Sequence, residues 1–340
     1  EASRAKFLTN RQLNWNEMYD TNRASTDGNS YYVLYEDRTD DNQLSANSIL
    51  FSDLSDNVKL NAGVNFKKLT SNNFQNLLDL LGGSYYNDID NYGLNFGQQQ
   101  SDLNNPNRKV VEGDKFGYNY KLFATTFDAF TQFKFTYKKV DFYVAQNYSR
   151  SEYQREGLYK NGYYPTNSFG KSKKVDFDNF GFKGGFTYKI TGKQFFDING
   201  YYATKAPNMR NTFPNARVNN NIFDDLKSET IASTDASYII KTPKVKARIT
   251  GHYSYIKGST ETSFFFAEGV DDGNAETTDE NSSFVAETVK GLNKKNLGIE
   301  FGFEYQISKT IKATLAGSYG EYTYDSNPTV QINVDSQSSV

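Results

Sequence analysis

Five segments of the chain alternate apolar and polar residues with a period of two, which is the pattern of a β-strand with one apolar and one polar face. In the first, Val58, Leu60, Ala62, Val64 and Phe66 share one face, and asparagines and lysines occupy the other. The apolar stripes of the five segments fall at 58–66, 127–137, 180–190, 247–255 and 299–307. Several stripes are nine to eleven residues long, which is the length that a tilted strand needs to cross a bilayer.

The polar faces carry too much charge for the interior of a soluble sandwich. Lys246, Arg248 and His252 share one such face, and Glu300 and Glu304 share another. Charges of this density are not buried in an apolar core without partners. We therefore expect these faces to meet bulk water or a wet lumen.

The connections between the strands alternate between short and long. Tight turns are predicted at 138–139, 191–193, 242–244 and near 308–309, and long polar segments at 69–116, 157–173, 205–228 and 267–283. Outer-membrane barrels have short periplasmic turns and long extracellular loops. A tyrosine also precedes each short turn (Tyr137, Tyr188, Tyr238 and Tyr305), as expected of an interfacial aromatic girdle. The pattern predicts an all-β, antiparallel transmembrane β-barrel segment.

The pattern predicts about eleven strands. They are placed at 31–37, 43–54, 57–68, 117–137, 140–156, 174–190, 194–204, 229–241, 244–266, 284–307 and 309–324, with a short amphipathic helix at 73–81. Single-chain bacterial barrels have even strand numbers, and a lipid-exposed sheet edge is not viable. The chain also ends in a polar tail at 335–340. We therefore expect about half of a larger barrel, with both edges needing partners.

Composition narrows the alternatives. The chain has 26 Tyr and 27 Phe, no Cys, a net charge of −2 and no run of 18 apolar residues. It therefore lacks disulfides, Cys-ligated metals and a transmembrane helix, and it has no general attraction to nucleic acid. A secreted all-β protein that binds glycans could share this composition.

Motifs for catalysis are scarce. His252 is the single histidine, so a two-histidine metal site cannot be assembled, and no phosphate-binding loop is present. Glu300 and Glu304 could act as an acid–base pair, but pairing with basic groups of a lumen or plug is preferred. The acidic loop at 271–274, with Asp279 and Glu280, lacks the spacing of an EF-hand and is read as a solvated loop. We expect no enzyme and no cofactor.

Several loop phrases resemble a known family. They are LLGGSY at 80–85, NNPNR at 104–108, GDKFGYNY at 113–120, YQREGLY at 153–159, KAPNMRNTF at 205–213 and the strand-end phrase YATKAP at 202–207. This series resembles the barrel of TonB-dependent outer-membrane receptors of the carboxypeptidase-regulatory-like-domain type. The resemblance implies a 22-stranded barrel in a Gram-negative outer membrane, closed by an N-terminal plug with a Ton box.

The same resemblance implies how such a protein works. A small nutrient, peptide or glycan is bound at the extracellular side and imported with energy from the TonB–ExbB–ExbD complex, with a surface lipoprotein as a further partner. Residues 1–340 are then part of one barrel domain, and the plug and the closing C-terminal strands lie outside them. The alternatives are a passive porin or a structural barrel of the outer membrane.

A transporter of this kind would bind its ligand where the long loops meet the wide lumen. Tyrosine and asparagine offer amphipathic area and adaptable hydrogen bonds there. The candidate ligand contacts are Tyr85, Tyr86, Tyr159, Tyr163, Tyr164, Arg210, Asn211 and Asn215. The alternative for each of them is that it packs loop against loop.

Overall fold

The computed structural model describes residues 12–90, 97–268 and 282–334. One antiparallel sheet contains most of this part of the chain. Its strands are β1 (Leu34–Ser55), β2 (Val58–Asp79), β5 (Lys115–Thr136), β6 (Val140–Gly157), β8 (Val175–Lys189), β9 (Gln194–Lys205), β10 (Glu229–Lys241), β11 (Val245–Glu268), β12 (Ser282–Gln306) and β13 (Lys312–Tyr324), paired in that order. Short strands are β3 (Tyr86–Asn87), β4 (Lys109–Val110), β7 (Gly170–Lys171) and β14 (Thr329–Val334), and the helices are α1 (Trp15–Arg23) and a 3₁₀ turn at Met209–Asn211.

The sheet is open within the described residues. β1 and β13 each pair on one side only, and β14 extends the edge that β13 forms on β12. The main sheet has ten strands in sequence of pairing, where the sequence pattern predicts eleven. An odd strand number therefore no longer argues for missing strands. The two edges of the sheet are unpaired within the described residues.

The eleventh predicted strand was an error at the N-terminal end of the sheet. The predicted strands at 31–37 and 43–54 are one strand, β1, which pairs with β2 from Asp79 to Val58 with register shifts only near the two ends. The predicted helix at 73–81 is also wrong, because β2 continues through Asp79 with Leu77 buried and Leu78 exposed. Where both faces of a strand are polar, the apolar alternation disappears although the backbone ladder continues.

The predicted alternation of short and long connections is confirmed. Turns of a few residues join β1 to β2, β5 to β6, β8 to β9, β10 to β11 and β12 to β13. Long segments at 80–114, 158–174 and 206–228 lie at the opposite end of the sheet. The fourth long segment lies largely outside the described residues.

A belt of apolar side chains runs across one face of the sheet, which we call the apolar face. It occupies nine residues on each of five strands, at 58–66, 127–135, 140–148, 180–188 and 297–305. Eight steps of about 3.4 Å, tilted by about 40°, give a height of roughly 21 Å, near the ~25 Å apolar band of membrane barrels. Phe180 and Phe182 are 54% and 56% exposed within this belt, so it has no protein cover in the described chain.

On four of these five strands the belt ends at a charged residue. The next residue on the apolar face toward the long loops is Lys68 on β2, Arg150 on β6, Asp178 on β8 and Lys295 on β12. Charged groups belong at a boundary with water, where their hydration is kept. The belt therefore has two polar limits, the charged residues at one end and the short turns with their preceding tyrosines at the other.

Candidate functional site

The long connections fold back against the end of the sheet that lies beyond the belt, on the opposite, polar face. The first of them packs around Leu77, Leu80, Val110 and Phe116, which are all buried. Tyr86 joins this cluster, and its ring meets that of Phe116 edge-on at 5.5 Å between centroids. Burial raises the pKa of the Tyr86 phenol above its ordinary value.

The helix α1 is clamped to this first loop by one buried side chain. The Asn22 amide nitrogen donates to the carbonyl oxygens of Tyr32 at 2.7 Å and Leu80 at 2.9 Å. Its side-chain oxygen accepts from the backbone N–H groups of Tyr31 and Tyr32. Because Asn22 is 1% exposed, these bonds fix the segment before β1 against the sheet.

Arg108 ties the first long loop to the second. Its guanidinium is paired with Asp88, which is buried, and it donates to the Tyr159 hydroxyl at 2.9 Å. The Tyr159 hydroxyl in turn donates to the Lys115 carbonyl at 2.9 Å, and the Arg108 guanidinium lies over the Tyr159 ring. Asp88 also accepts from the Gly117 N–H. A charge-assisted network of this kind holds the two loops at a fixed spacing.

Arg155 ties the second long loop to the third, and it is the largest fully buried side chain of the described chain. It donates to the carbonyl oxygens of Ala216 at 2.6 Å and Ser168 at 3.0 Å, and to the side-chain oxygen of Asn220 at 2.6 Å. Its guanidinium also lies over the Tyr120 ring at 5.3 Å. Arg155 lies beyond the belt, and burial lowers the pKa of its guanidinium to about 10, so it stays charged at neutral pH.

The third long loop, at 206–228, crosses the polar face from β9 towards β1. Phe213 packs with Tyr153 and Phe177 in a buried cluster on β6 and β8. Further along the loop, Arg217 pairs with Asp37 of β1 at 3.7 Å and lies over the ring of Tyr118. The loop therefore forms a cover over the polar face, held by apolar packing in its middle and by arginine contacts.

The candidate contacts predicted from the sequence fall into separate groups instead of one pocket. Tyr85 and Tyr86 lie in the first loop, and Tyr159 contacts that loop through Arg108. Tyr163 is partly exposed and Tyr164 is buried in the second loop. The remaining three, in the third loop, are Arg210 over the Phe264 ring, Asn211 donating to the Thr260 carbonyl at 2.6 Å, and Asn215, whose carbonyl accepts two backbone bonds.

Sequence reasoning missed the residues that organise these loops. Asp88, Arg108, Arg155 and Asn220 were not among the predicted contacts, although Arg108 and Arg155 lie inside the loop phrases at 104–108 and 153–159. Their roles depend on partners more than ten residues away in the chain. No periodicity or spacing in the sequence marks such partners.

Several charged side chains on the polar face form ion pairs with one another. Glu304 accepts from Lys246 at 3.0 Å and from Lys312 at 3.1 Å. His252 lies opposite Gly298 in the register of β11 and β12, where a Cβ would come within 2.6 Å of the imidazole ring. The glycine therefore provides the space that the histidine ring occupies.

Within 12–90, 97–268 and 282–334, no group of three His, Cys, Asp or Glu side chains could hold a metal ion. The predicted acidic loop at 271–274, with Asp279 and Glu280, lies outside those residues. No described helix is long and apolar enough to cross a membrane.

The chain was compared with known proteins. No family model matches it, and no curated protein matches it. A solved structure of the copper transporter OprC matches with a TM-score of 0.57 at 15% identity, covering 86% of this chain and 41% of that chain. The chain shares its fold with part of a transporter. BauA, the ferric preacinetobactin receptor from Acinetobacter baumannii, is matched with a TM-score of 0.48 at 13% identity, covering 85% of this chain and 38% of that one.

The chain spans about two fifths of the length of these two solved structures. At such low identity the likeness to the copper transporter concerns the fold alone.

Proposed function

We propose that this chain forms part of the barrel of a TonB-dependent transporter in a Gram-negative outer membrane. The sequence resemblance to receptors of the carboxypeptidase-regulatory-like-domain type extends the proposal to a 22-stranded barrel. Energy would come from the TonB–ExbB–ExbD complex through a plug domain encoded elsewhere in the same protein. The proposal includes a bilayer around the belt and no enzymatic activity.

The apolar belt is the observation that carries the membrane part of this proposal. Five strands each carry a mainly apolar stripe nine residues long, and charged residues follow on four of them, at Lys68, Arg150, Asp178 and Lys295. Exposed apolar surface of this extent is unfavourable in water and favourable in hydrocarbon. A soluble glycan-binding protein has no use for such a belt.

The covered polar face favours a gated transporter over a passive porin. The third long loop lies over the sheet, and Arg155 and Arg217 bind it to β6 and β1. An open diffusion pore would keep this face free for solute. A transporter instead needs loops that close over a ligand and are released in turn.

The ligand site of the proposed transporter lies among the three long loops. Tyr85, Tyr86, Tyr159, Tyr163, Tyr164, Arg210, Asn211 and Asn215 remain its candidate contacts. Because Tyr164 is buried, its ring would reach a ligand only after the second loop moves. A nutrient, a peptide and a glycan all fit aromatic and amide contacts, and a surface lipoprotein would act as a lid or as a carrier.

Energised uptake tests the proposal. The natural strain would be grown on candidate peptides, glycans and metal chelates as limiting nutrients, with and without the gene, and with and without TonB. The proposal predicts one nutrient whose use requires both genes. Uptake that needs this gene but continues without TonB would contradict it and support the passive porin.

A further inference from the structure

Three neighbouring strands are interrupted at one level, immediately beyond the charged end of the belt at Lys295. The interruptions fall at 257–258 in β11, around 291–293 in β12 and at 325–328, between β13 and β14. We call this level the break line. A bulge bends a strand and disrupts its ladder. Pairing is therefore regular on both sides of the break line and irregular along it.

The part of the sheet beyond the break line is a three-stranded unit, which we call the flap. It consists of 260–268 of β11, 282–290 of β12 and the whole of β14. β10 pairs with β11 no further than Lys257, and β14 pairs with β12 alone. Within the described chain, sheet pairing therefore joins the flap to the main sheet only across the break line.

Two glycines make the break line easy to bend. Gly258 has a φ of +76° and Gly291 a φ of +77°, a region that residues with a side chain rarely adopt. Apart from the chain neighbours, no atom lies within 4 Å of the position that a Cβ would take at either glycine. Rotation about the backbone dihedrals of these two residues therefore meets little steric resistance.

One residue, Asn293, spans the break line. Its side-chain oxygen accepts from the Gly258 N–H at 3.0 Å, and its backbone N–H donates to the Ser326 hydroxyl at 2.9 Å. Its carbonyl oxygen accepts from the Asp325 N–H at 2.9 Å. Asn293 thus holds β11, β12 and the segment that leads to β14 together where the regular ladder is missing.

The flap is also tied to the third long loop. The Asn211 side-chain amide donates to the Thr260 carbonyl at 2.6 Å, and the Arg210 guanidinium lies over the Phe264 ring at 5.1 Å. Both contacts join the 3₁₀ turn of that loop to the first residues of the flap in β11. A movement of the flap is therefore passed on to the loop that covers the polar face.

We propose that the flap turns as one rigid unit about the break line and carries the third long loop with it. A strand of nine residues is about 27 Å long, so a turn of about 20° moves its far end by roughly 9 Å. The two glycines absorb the change in backbone dihedrals, and Asn293 holds the closed position. The inference rests on the proposed function in one respect, since it is in a transporter that this movement uncovers the polar face for a ligand.

Pulsed electron paramagnetic resonance measures the position of the flap in the detergent-purified full-length protein, with any cysteine outside this chain replaced. Spin labels are attached through Ser263→Cys in the flap and Lys68→Cys on β2, which are both exposed positions. Six strand spacings separate β2 from β11, roughly 29 Å across the sheet, which suits this measurement. The width of the distance distribution reports how freely the flap turns.

Asn293→Ala removes the side-chain bond across the break line and is expected to widen this distribution at least about twofold. Asn296→Ala is the matched control. It lies on the same strand below the break line and loses one hydrogen bond, to the Ser254 hydroxyl at 3.1 Å, so the width should stay unchanged. Ser326→Ala removes a single bond at the break line and serves as the milder variant. Equal widths in all three variants would overturn the hinge.

Amide exchange separates a turning flap from an unfolding one. In Asn293→Ala, peptides from 260–268 and 282–290 should keep their exchange rates within about twofold, because their own ladder is intact. A general loss of protection there would overturn the rigid unit. Asn211→Ala cuts the tie to the third long loop and should also widen the distance distribution, and an unchanged width would overturn that coupling.

The hinge and the proposed function fail in different ways. If the protein is not recovered in the outer-membrane fraction, the proposed function fails, while the labels still report on the flap in detergent. If the protein is recovered there and Asn293→Ala has the same width as Asn296→Ala, only the hinge fails.

Discussion

Replacing Arg155 by alanine is expected to release the cover over the polar face. The guanidinium joins β6 to two long loops through bonds of 2.6 Å to the Ala216 carbonyl, 3.0 Å to the Ser168 carbonyl and 2.6 Å to the Asn220 side chain. Its removal takes the donor from three acceptors. It also leaves a void beside Tyr120, whose ring lies 5.3 Å from the guanidinium.

The size of the effect follows from the burial of this residue. Arg155 is 1% exposed, so water does not replace the lost bonds while the loops stay closed. A hydrogen bond from a charged group is worth about 1.5–3 kcal/mol, and part of the total is offset by the cost of burying the cation. We expect the free energy of opening the loops to fall by about 3 kcal/mol, which speeds amide exchange in them roughly a hundredfold.

Hydrogen exchange followed by mass spectrometry measures the rate of amide exchange in peptides from 160–174 and 206–228. Arg155→Lys keeps the charge but loses the fork of donors, so an intermediate acceleration is expected. Arg150→Ala is the matched control, because Arg150 is 48% exposed and binds two carboxylates on the opposite face. An exposed pair of that kind contributes about 0–1 kcal/mol. If exchange in Arg155→Ala is no faster than in Arg150→Ala, Arg155 does not hold the loops closed.

Three further changes test other parts of the structure. Asn22→Ala removes the bonds that hold α1, and cleavage by trypsin after Arg23 should become faster while the sheet persists; unchanged cleavage would show that α1 is held otherwise. Ile299→Arg places a cation in the belt and should make the free energy of insertion into lipid vesicles less favourable by about 2–4 kcal/mol. Ser318→Arg, one row away on the polar face, should insert normally, and equal insertion of the two variants would argue against the belt. Asn179→Leu removes a buried amide that has no hydrogen-bond partner among the described residues, so the free energy of unfolding, measured by denaturant titration, should rise by about 1–3 kcal/mol. A lower free energy of unfolding would show that the amide has a hydrogen-bond partner.

The sequence predicted the sheet best inside the belt. There one side of each strand is apolar and the other polar, so Val58 to Phe66 and Phe180 to Tyr188 show the period of two directly. Beyond the belt both sides are polar, and the alternation vanishes while pairing continues. For that reason the sequence pattern divides β1 in two at the polar segment 38–42 and predicts a helix at the leucines of β2.

The packing of the loops could not be predicted from the sequence. Arg155 bonds to Ala216 and Asn220, which lie about sixty residues away in the chain. The choice among many polar loop residues depends on which loops meet, and a single sequence holds no periodic signal for that. The predicted contacts therefore rest on residue type alone, and the structure places Tyr164 in the interior and Arg210 at the surface.

The central claim is that the apolar face of this sheet meets lipid and the polar face meets water. The chain contains no cysteine, so single cysteines can be introduced along β8 at Phe180, Phe182, Lys183, Phe186 and Thr187 and spin-labelled in lipid vesicles. Electron paramagnetic resonance then measures collisions with oxygen, which concentrates in lipid, and with a water-soluble nickel complex. We predict that labels at 180, 182 and 186 collide mainly with oxygen and labels at 183 and 187 mainly with nickel. Equal access of nickel to all five positions would contradict the membrane assignment.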